Sequence, residues 1–288
     1  PMKWWSICVG FFTVSSASAS FDLMLLQANT LDPDTGGAII HRYDPINKVT
    51  LGTFGIADRA TAMVADYSRR ELHTFDTIGW MRSYDYSNGT LKKAVFVGVP
   101  GAMDAALSAD ASRMYFVNGG TSIFSLNMSS GTVSTAHTGI PTLTRICRTD
   151  NGQFYTLDGI SGMSRYTAGS NGALTRIEQD IMVNGFLAGR QMAVTSPAQG
   201  NPYKYVLAPA GSNIVLNVVN VDDSFSSIGD TSFLINRFGS YTNVVNSHQG
   251  VYIIGTDSTT SSLTRIIERD STGAYSNGST IAGIGGGV

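Results

Sequence analysis

Apolar residues in this chain come in short runs, and Gly, Asn, Ser or Asp closes nearly every one. The span 101–139 shows the pattern most clearly. Residues 103–108 lead to the polar turn Ala109-Asp110-Ala111-Ser112, then come 113–117, the turn Asn118-Gly119-Gly120 and residues 121–127. A further turn, Met128-Ser129-Ser130-Gly131, leads into 132–136. Runs rich in β-branched and aromatic residues, bounded by such turn formers, predict four strands joined by tight connections.

The unit repeats. An apolar residue followed by polar residues and a turn recurs at Tyr43-Asp44, Tyr84-Asp85, Leu126-Asn127 and Tyr166-Thr167, and more loosely at Val219-Asn220 and Ile267-Glu268. A period of roughly 40–50 residues with four strands in each predicts an all-β chain folded as a β-propeller. Six second strands are expected, at 21–27, 71–75, 113–117, 153–157, 203–207 and 250–254. Five first strands are expected, at 61–65, 103–108, 143–148, 191–195 and 242–246, so the blade opening at Phe21 lacks one. Residues 280–288 stand where a closing strand from the other terminus would lie. They are Gly-rich and end abruptly, so either they close the ring poorly or the native chain continues past Val288; we favour continuation. The expected architecture is therefore a propeller of about six four-stranded blades over residues 20–288, or seven if the chain continues. Runs such as Met114-Tyr115-Phe116-Val117 do not alternate with polar residues, as expected of sheets covered on both faces. Residues 180–190 read as a crossing between blades, and 196–202 as a rim loop.

Composition narrows the partners. Charged residues make up 14% of the chain and the net charge is −2, so no field exists to steer nucleic acid or anionic lipid. The N-terminus places Lys3 before an apolar run from Trp4 to Val14 and an Ala17-Ser18-Ala19 site. This predicts a signal peptide over 1–19, cleaved after Ala19, and a secreted or cell-surface protein. The run is too short for a membrane span, which takes about 20 residues. A buried first strand is the other reading of the same run, and the Ala-Ser-Ala tail favours cleavage. Cleavage would leave Cys147 alone, without a disulfide, as a small buried hydrophobe. Asn88, Asn127 and Asn277 each begin a glycosylation acceptor pattern, all at expected turns. The four His residues are scattered, which argues against a metal cluster. The acidic loop 29–37 and Asp222-Asp223 read as turns, since no acidic residue closes a calcium loop.

The segment Ser108-Ala109-Asp110-Ala111-Ser112-Arg113-Met114-Tyr115-Phe116-Val117 resembles the Ser-Pro-Asp-Gly…Leu-Tyr-Val segment of secreted YVTN/lactonase-like and NHL-like repeat propellers. Ala109 stands for that family's Pro and Ala111 for its Gly. The leader, scarce charge and scarce Cys also resemble exosortase-sorted bacterial surface proteins. The resemblance implies a site at the mouth of a central channel, where lactonase-like members hold a divalent metal with carboxylates and Asn. Polar residues on or beside the expected inner strands are Arg59, Asp104, Arg145, Arg190 and Asn243. One carboxylate with three arginines suits an anionic ligand better than a cation, unless these groups simply satisfy each other. We take Asp104, Arg145, Arg190 and Asn243 as candidate ligand-binding residues. No catalytic motif is present, so the expected function is a non-enzymatic, monomeric binding or scaffold module without a cofactor, its ligand a protein or glycan. The alternative is a hydrolase or lactonase using a divalent cation or an anionic ligand in the channel.

Overall fold

The computed structural model describes, with side chains, residues 37–44, 47, 49–140, 142–149, 152–157 and 162–178, and elsewhere the backbone of the strands named below. Among the described residues every element is a strand, and these strands form six four-stranded antiparallel sheets. The first sheet holds β1 (Trp5–Cys8), β2 (Leu23–Gln27), β3 (Ile39–Asp44) and β4 (Val49–Gly55). The second holds β5 (Ala60–Asp66), β6 (Glu71–Asp76), β7 (Trp80–Asp85) and β8 (Leu91–Phe96). The third runs through β9 (Asp104–Leu107), β10 (Arg113–Val117), β11 (Ser122–Asn127) and β12 (Val133–Thr138). The fourth comprises β13 (Leu143–Arg148), β14 (Gln153–Asp158), β15 (Met163–Ala168) and β16 (Leu174–Ile181). The fifth contains β17 (Gln191–Val194), β18 (Tyr203–Ala210), β19 (Asn213–Asn220) and β20 (Ser227–Ile235). The sixth contains β21 (Phe238–Ser247), β22 (Gly250–Asp257), β23 (Leu263–Arg269) and β24 (Tyr275–Ala282).

The chain divides into two compact units, one of Pro1–Gly101 with Phe238–Val288 and the other of Ala102–Arg237. In the first unit β1 lies against both β5 and β21; in the second, β13 lies against both β9 and β17. First strands thus neighbour first strands. Among the described residues no helix is long and apolar enough to cross a membrane.

Burial follows strand position within a sheet. The second strands β6 and β10 are buried along almost their whole length; β10 meets this with the apolar run Met114-Tyr115-Phe116-Val117, whereas β6 buries His73 and Thr74 beside Leu72 and Phe75. The fourth strands β4, β8 and β12 are largely exposed and carry most of the polar alternation. In the second unit the third and fourth sheets share a core that includes Tyr115, Val117, Ile146, Phe154 and Tyr166. Tyr115 meets Phe154 edge-on with ring centroids 4.6 Å apart. Such a pair adds about 0.5–1.5 kcal/mol beyond the area it buries.

The turns use their polar residues as backbone partners. Asp76, Asp85, Asn88, Asp110, Asn127 and Asn171 each accept, through a side-chain oxygen, the N–H two residues on. That local bond is the physical reason for the Asn/Asp/Ser punctuation. Ala111 sits in one such turn at φ 53°, in the left-handed region. A non-Gly residue there costs about 1–2 kcal/mol, while Gly loses about 0.5–1 kcal/mol in chain entropy. Ala111→Gly should therefore stabilise the chain by about 0.5–1 kcal/mol, read as a higher denaturation midpoint. A lower midpoint would show that the turn is not held in this conformation.

Two ends of the chain differ from the sequence reading. Trp5–Cys8, inside the expected signal peptide, is the strand beside β2, in register from Trp5↔Gln27 to Cys8↔Met24. The last strand, Tyr275–Ala282, is the outer strand of its own sheet and pairs β23; it does not complete the first sheet, because β1 holds that place. A chain cut after Ala19 would lose β1. Asn277, expected at a turn, lies within β24 opposite Ile267. The expected crossing at 180–190 begins later than foreseen, since β16 continues to Ile181. The loop 29–37 (save Gly37), Asp222-Asp223 and the loop 196–202 lie outside the described residues.

Candidate functional site

Asp104 opens β9 and pairs with Val117 of β10. Its Oδ1 accepts the N–H of Ala105 at 3.0 Å, and its Oδ2 accepts the N–H of Ile146 on β13, also at 3.0 Å. The second bond crosses from the third sheet to the fourth and spans one sequence repeat. Arg145, on β13, answers it. Its Nη1 donates to the carbonyls of Thr144 at 2.7 Å and Met103 at 3.4 Å. A register shift between Leu143 and Arg145, where β13 meets β14, accompanies this placement.

Solvation dominates the electrostatics. Burial pushes the Asp104 carboxyl up to about 6, against the opposing pull of Arg145 and of the Ile146 and Ala105 N–H groups. Burial likewise pulls Arg145 below its usual value, and Asp104 partly offsets this. The sequence-predicted residues Asp104 and Arg145 are thus brought together, and their contacts fasten the first strands of neighbouring sheets. Arg190 lies outside the described residues. Asn243 is placed by its backbone on β21, opposite Ile254. Arg59 is exposed just before β5. A lone carboxylate cannot perform the paired acid–base work of two carboxylates. Among the described residues no three His, Cys, Asp or Glu side chains converge as a metal site would require.

The structure contains a second polar centre that local sequence patterns did not reveal. Asp58, in the connection between the first two sheets, is buried and accepts the hydroxyls of Thr74 at 2.6 Å and Tyr84 at 2.9 Å. Arg82 donates to Asp76 at 2.7 Å and stands 3.5 Å from Asp58. Asp76 also accepts the N–H groups of Ile78 and Trp80. Burial pulls Asp76 up, but these N–H groups and Arg82 outweigh it and hold the carboxyl below its usual range. Burial, and then Asp58, push the Tyr84 phenol up. The available sequence signal was the clustering of Asp58, Asp76 and Arg82 in a chain with little charge.

No family model matches the chain, and no curated protein sequence does. Solved structures do resemble it. A functionally unknown protein from Desulfotomaculum acetoxidans DSM 771 aligns with TM-score 0.57 and 13% identity, over 85% of this chain and 76% of that one. Hydrazine synthase of Kuenenia stuttgartiensis aligns with TM-score 0.59 and 11% identity, over 91% and 76%. A structural-genomics protein of unknown function from Bacteroides thetaiotaomicron VPI-5482 aligns with TM-score 0.53 and 12% identity, over 87% and 67%. At these identities the likeness is one of fold alone.

Proposed function

We propose that the six sheets are the blades of one propeller, and that the chain is a secreted, non-enzymatic binding or surface-scaffold module. The ring is supported by the neighbouring of first strands within each unit, with β1 flanked by strands of the second and last sheets. The binding reading rests on one observation. The carboxylate best placed to serve catalysis, Asp104, has an oxygen on each of two backbone N–H groups, in a strand-to-strand clamp. Export is supported by the Lys3, apolar-run and Ala-Ser-Ala order at the N-terminus.

The second reading is a hydrolase or lactonase. It is favoured by one fact: a carboxyl titrating at about 6 lies in the range useful to a general acid or base. Purified protein assayed for bound metal and for turnover of lactones and esters separates the two. The module reading expects no turnover, an Asp104→Ala variant without change in metal content, and capture of a ligand on glycan or protein arrays. Turnover or metal lost together with Asp104 would overturn it. Intact mass of the exported protein tests secretion: export with cleavage gives a chain starting at Ser20, which would leave the first sheet with β2 to β4, whereas a ring that keeps β1 requires export with Trp5–Cys8 retained.

A further inference from the structure

We propose that Asn88 and Asn171 are sites of spontaneous deamidation, each kept shut by one side chain of the preceding sheet: Phe54 on the turn of Asn88 and Arg113 on the turn of Asn171. Both Asn residues are exposed, in turns that join the third strand of a sheet to its fourth, β7 to β8 and β15 to β16. Each precedes a Gly in the left-handed region, at φ 75° for Gly89 and 88° for Gly172. The turns themselves select this pair of residues. The Asn Oδ1 accepts the N–H two residues on, from Thr90 at 2.9 Å and from Ala173 at 3.0 Å, and any side chain in place of the Gly would be strained.

The same pair is chemically reactive. The Gly backbone nitrogen, once it gives up its proton, attacks the Asn Cγ. A C–N bond forms, the side-chain nitrogen leaves as ammonia, and a cyclic imide remains. Water then opens the imide at either carbonyl, leaving aspartate or isoaspartate. The net reaction exchanges ammonia for water and needs no other reagent. Gly favours the attack because no side chain shields its nitrogen. Each event adds one negative charge to a chain that carries few charges and a net −2. No ligand takes part, so these sites are independent of the binding-module reading.

The fold withholds the nucleophile. The Gly89 N–H donates to the Asp85 carbonyl at 2.9 Å and the Gly172 N–H to the Gly169 carbonyl at 3.0 Å. Neither can lose its proton until its turn opens locally. What closes each turn comes from the neighbouring sheet. A Cβ on Gly89 would run into the Phe54 ring of β4, and one on Gly172 into the Arg113 guanidinium of β10. Phe54 and Arg113 thus lie directly on the Gly that must move. The equivalent turn of the third sheet, β11 to β12, shows an unreactive version. Gly131 keeps φ 74° and its N–H donates to the Asn127 carbonyl at 2.9 Å, but Ser130 precedes it, with its Oγ accepting the Thr132 N–H at 3.2 Å. A hydroxyl caps that turn and cannot form the imide.

The test is peptide mapping of the full chain after incubation at mildly alkaline pH, with the aspartate and isoaspartate products separated by chromatography. In the parent both Asn residues should convert, at rates that follow hydrogen exchange of the Gly89 and Gly172 N–H groups, because both reactions need the same opening. Phe54→Ala should speed conversion at Asn88 about tenfold, and Arg113→Ala should do so at Asn171, each leaving the other site at its parental rate. Asn118 is the control within the second unit. It also precedes a Gly, but the Gly119 N–H is held by the Leu143 carbonyl at 2.9 Å, so Arg113→Ala should leave it unchanged. Asn88→Ser and Asn171→Ser should abolish the acidic species at an unchanged melting temperature. The proposal is overturned if neither Asn converts, if either Ala variant converts at the parental rate, or if Arg113→Ala accelerates Asn118 as much as Asn171. Where an Ala variant does not fold, the parent decides: conversion at a site whose Gly N–H stays protected from exchange also overturns it.

Discussion

Lowering the pH from 7 to 4 will cost the first compact unit about 3 kcal/mol for each of its two buried histidines. Burial lowers His73 to about 4, with Asp66 pulling the other way and Arg69 and Lys93 adding to the fall. Burial lowers His41 to about 4 as well. Both titrate near 6.5 in the unfolded chain, so between pH 6.5 and 4 the unfolded state binds more protons than the native one. Each shift of one pH unit is worth about 1.4 kcal/mol. Their contribution is complete above pH 6.5 and is lost as the pH falls through 4. His73 has a clear structural reason to stay neutral: its Nδ1 lies 2.8 Å from the Ser83 hydroxyl, and its Nε2 is buried without a hydrogen-bond partner.

The second unit moves in the opposite direction over part of this range. Asp104 titrates at about 6 in the fold and at 3.8 unfolded. Its neutral form is the one the fold prefers. That preference stabilises the unit below pH 3.8 and is lost as the pH rises through 6, for a swing of about 3 kcal/mol. Hydrogen exchange followed separately in the two units at pH 7, 5 and 4 should show protection falling in the first and rising in the second. Asp104→Asn should flatten the response of the second unit alone, and His73→Gln should flatten part of the first. Parallel loss of protection in both units would refute this assignment.

Much of this architecture was legible because a strand's composition and its bounding turns are local properties. Residues 71–75, 113–117 and 153–157 reappear as the second strands Glu71–Asp76, Arg113–Val117 and Gln153–Asp158, each ended by a turn residue. The neighbouring of Asp104 and Arg145 was legible too, since both fall on first strands one repeat apart. Beyond that the signal was not local. Trp5–Cys8 has the composition of a leader's apolar core and of a buried strand alike, and what makes it a strand is Leu23–Gln27 beside it. The Asp58 centre joins residues 16 and 26 positions apart, a spacing that follows from the path of β5 to β7 and from no motif. The closure of Gly89 by Phe54 and of Gly172 by Arg113 escaped notice for the same reason, because each side chain meets its turn only when neighbouring sheets meet.

Asp58→Ala should be among the most damaging single substitutions in the first unit, costing about 3–5 kcal/mol. The magnitude follows from what remains behind. Thr74 and Tyr84, both fully buried, would lose the acceptor for their hydroxyls, and each stranded polar group costs about 1–3 kcal/mol. Arg82 would keep Asp76 at 2.7 Å but lose its second carboxylate. Tyr84→Phe removes one hydrogen bond to a charged acceptor and should cost less, about 1.5–3 kcal/mol. The solvent-facing pair Lys92–Asp85, at 3.3 Å, provides the contrast: Lys92→Ala should cost no more than about 1 kcal/mol, as surface ion pairs do. Denaturant titration of the three variants should rank them in that order. A cycle combining Asp58→Ala with Arg82→Met should show coupling of about 0.5–3 kcal/mol, as expected of residues sharing one network. Additivity would mean that Asp58 acts through its hydroxyl partners alone. An Asp58→Ala variant as stable as the parent would remove this centre from the forces holding the second sheet to the segment that precedes it.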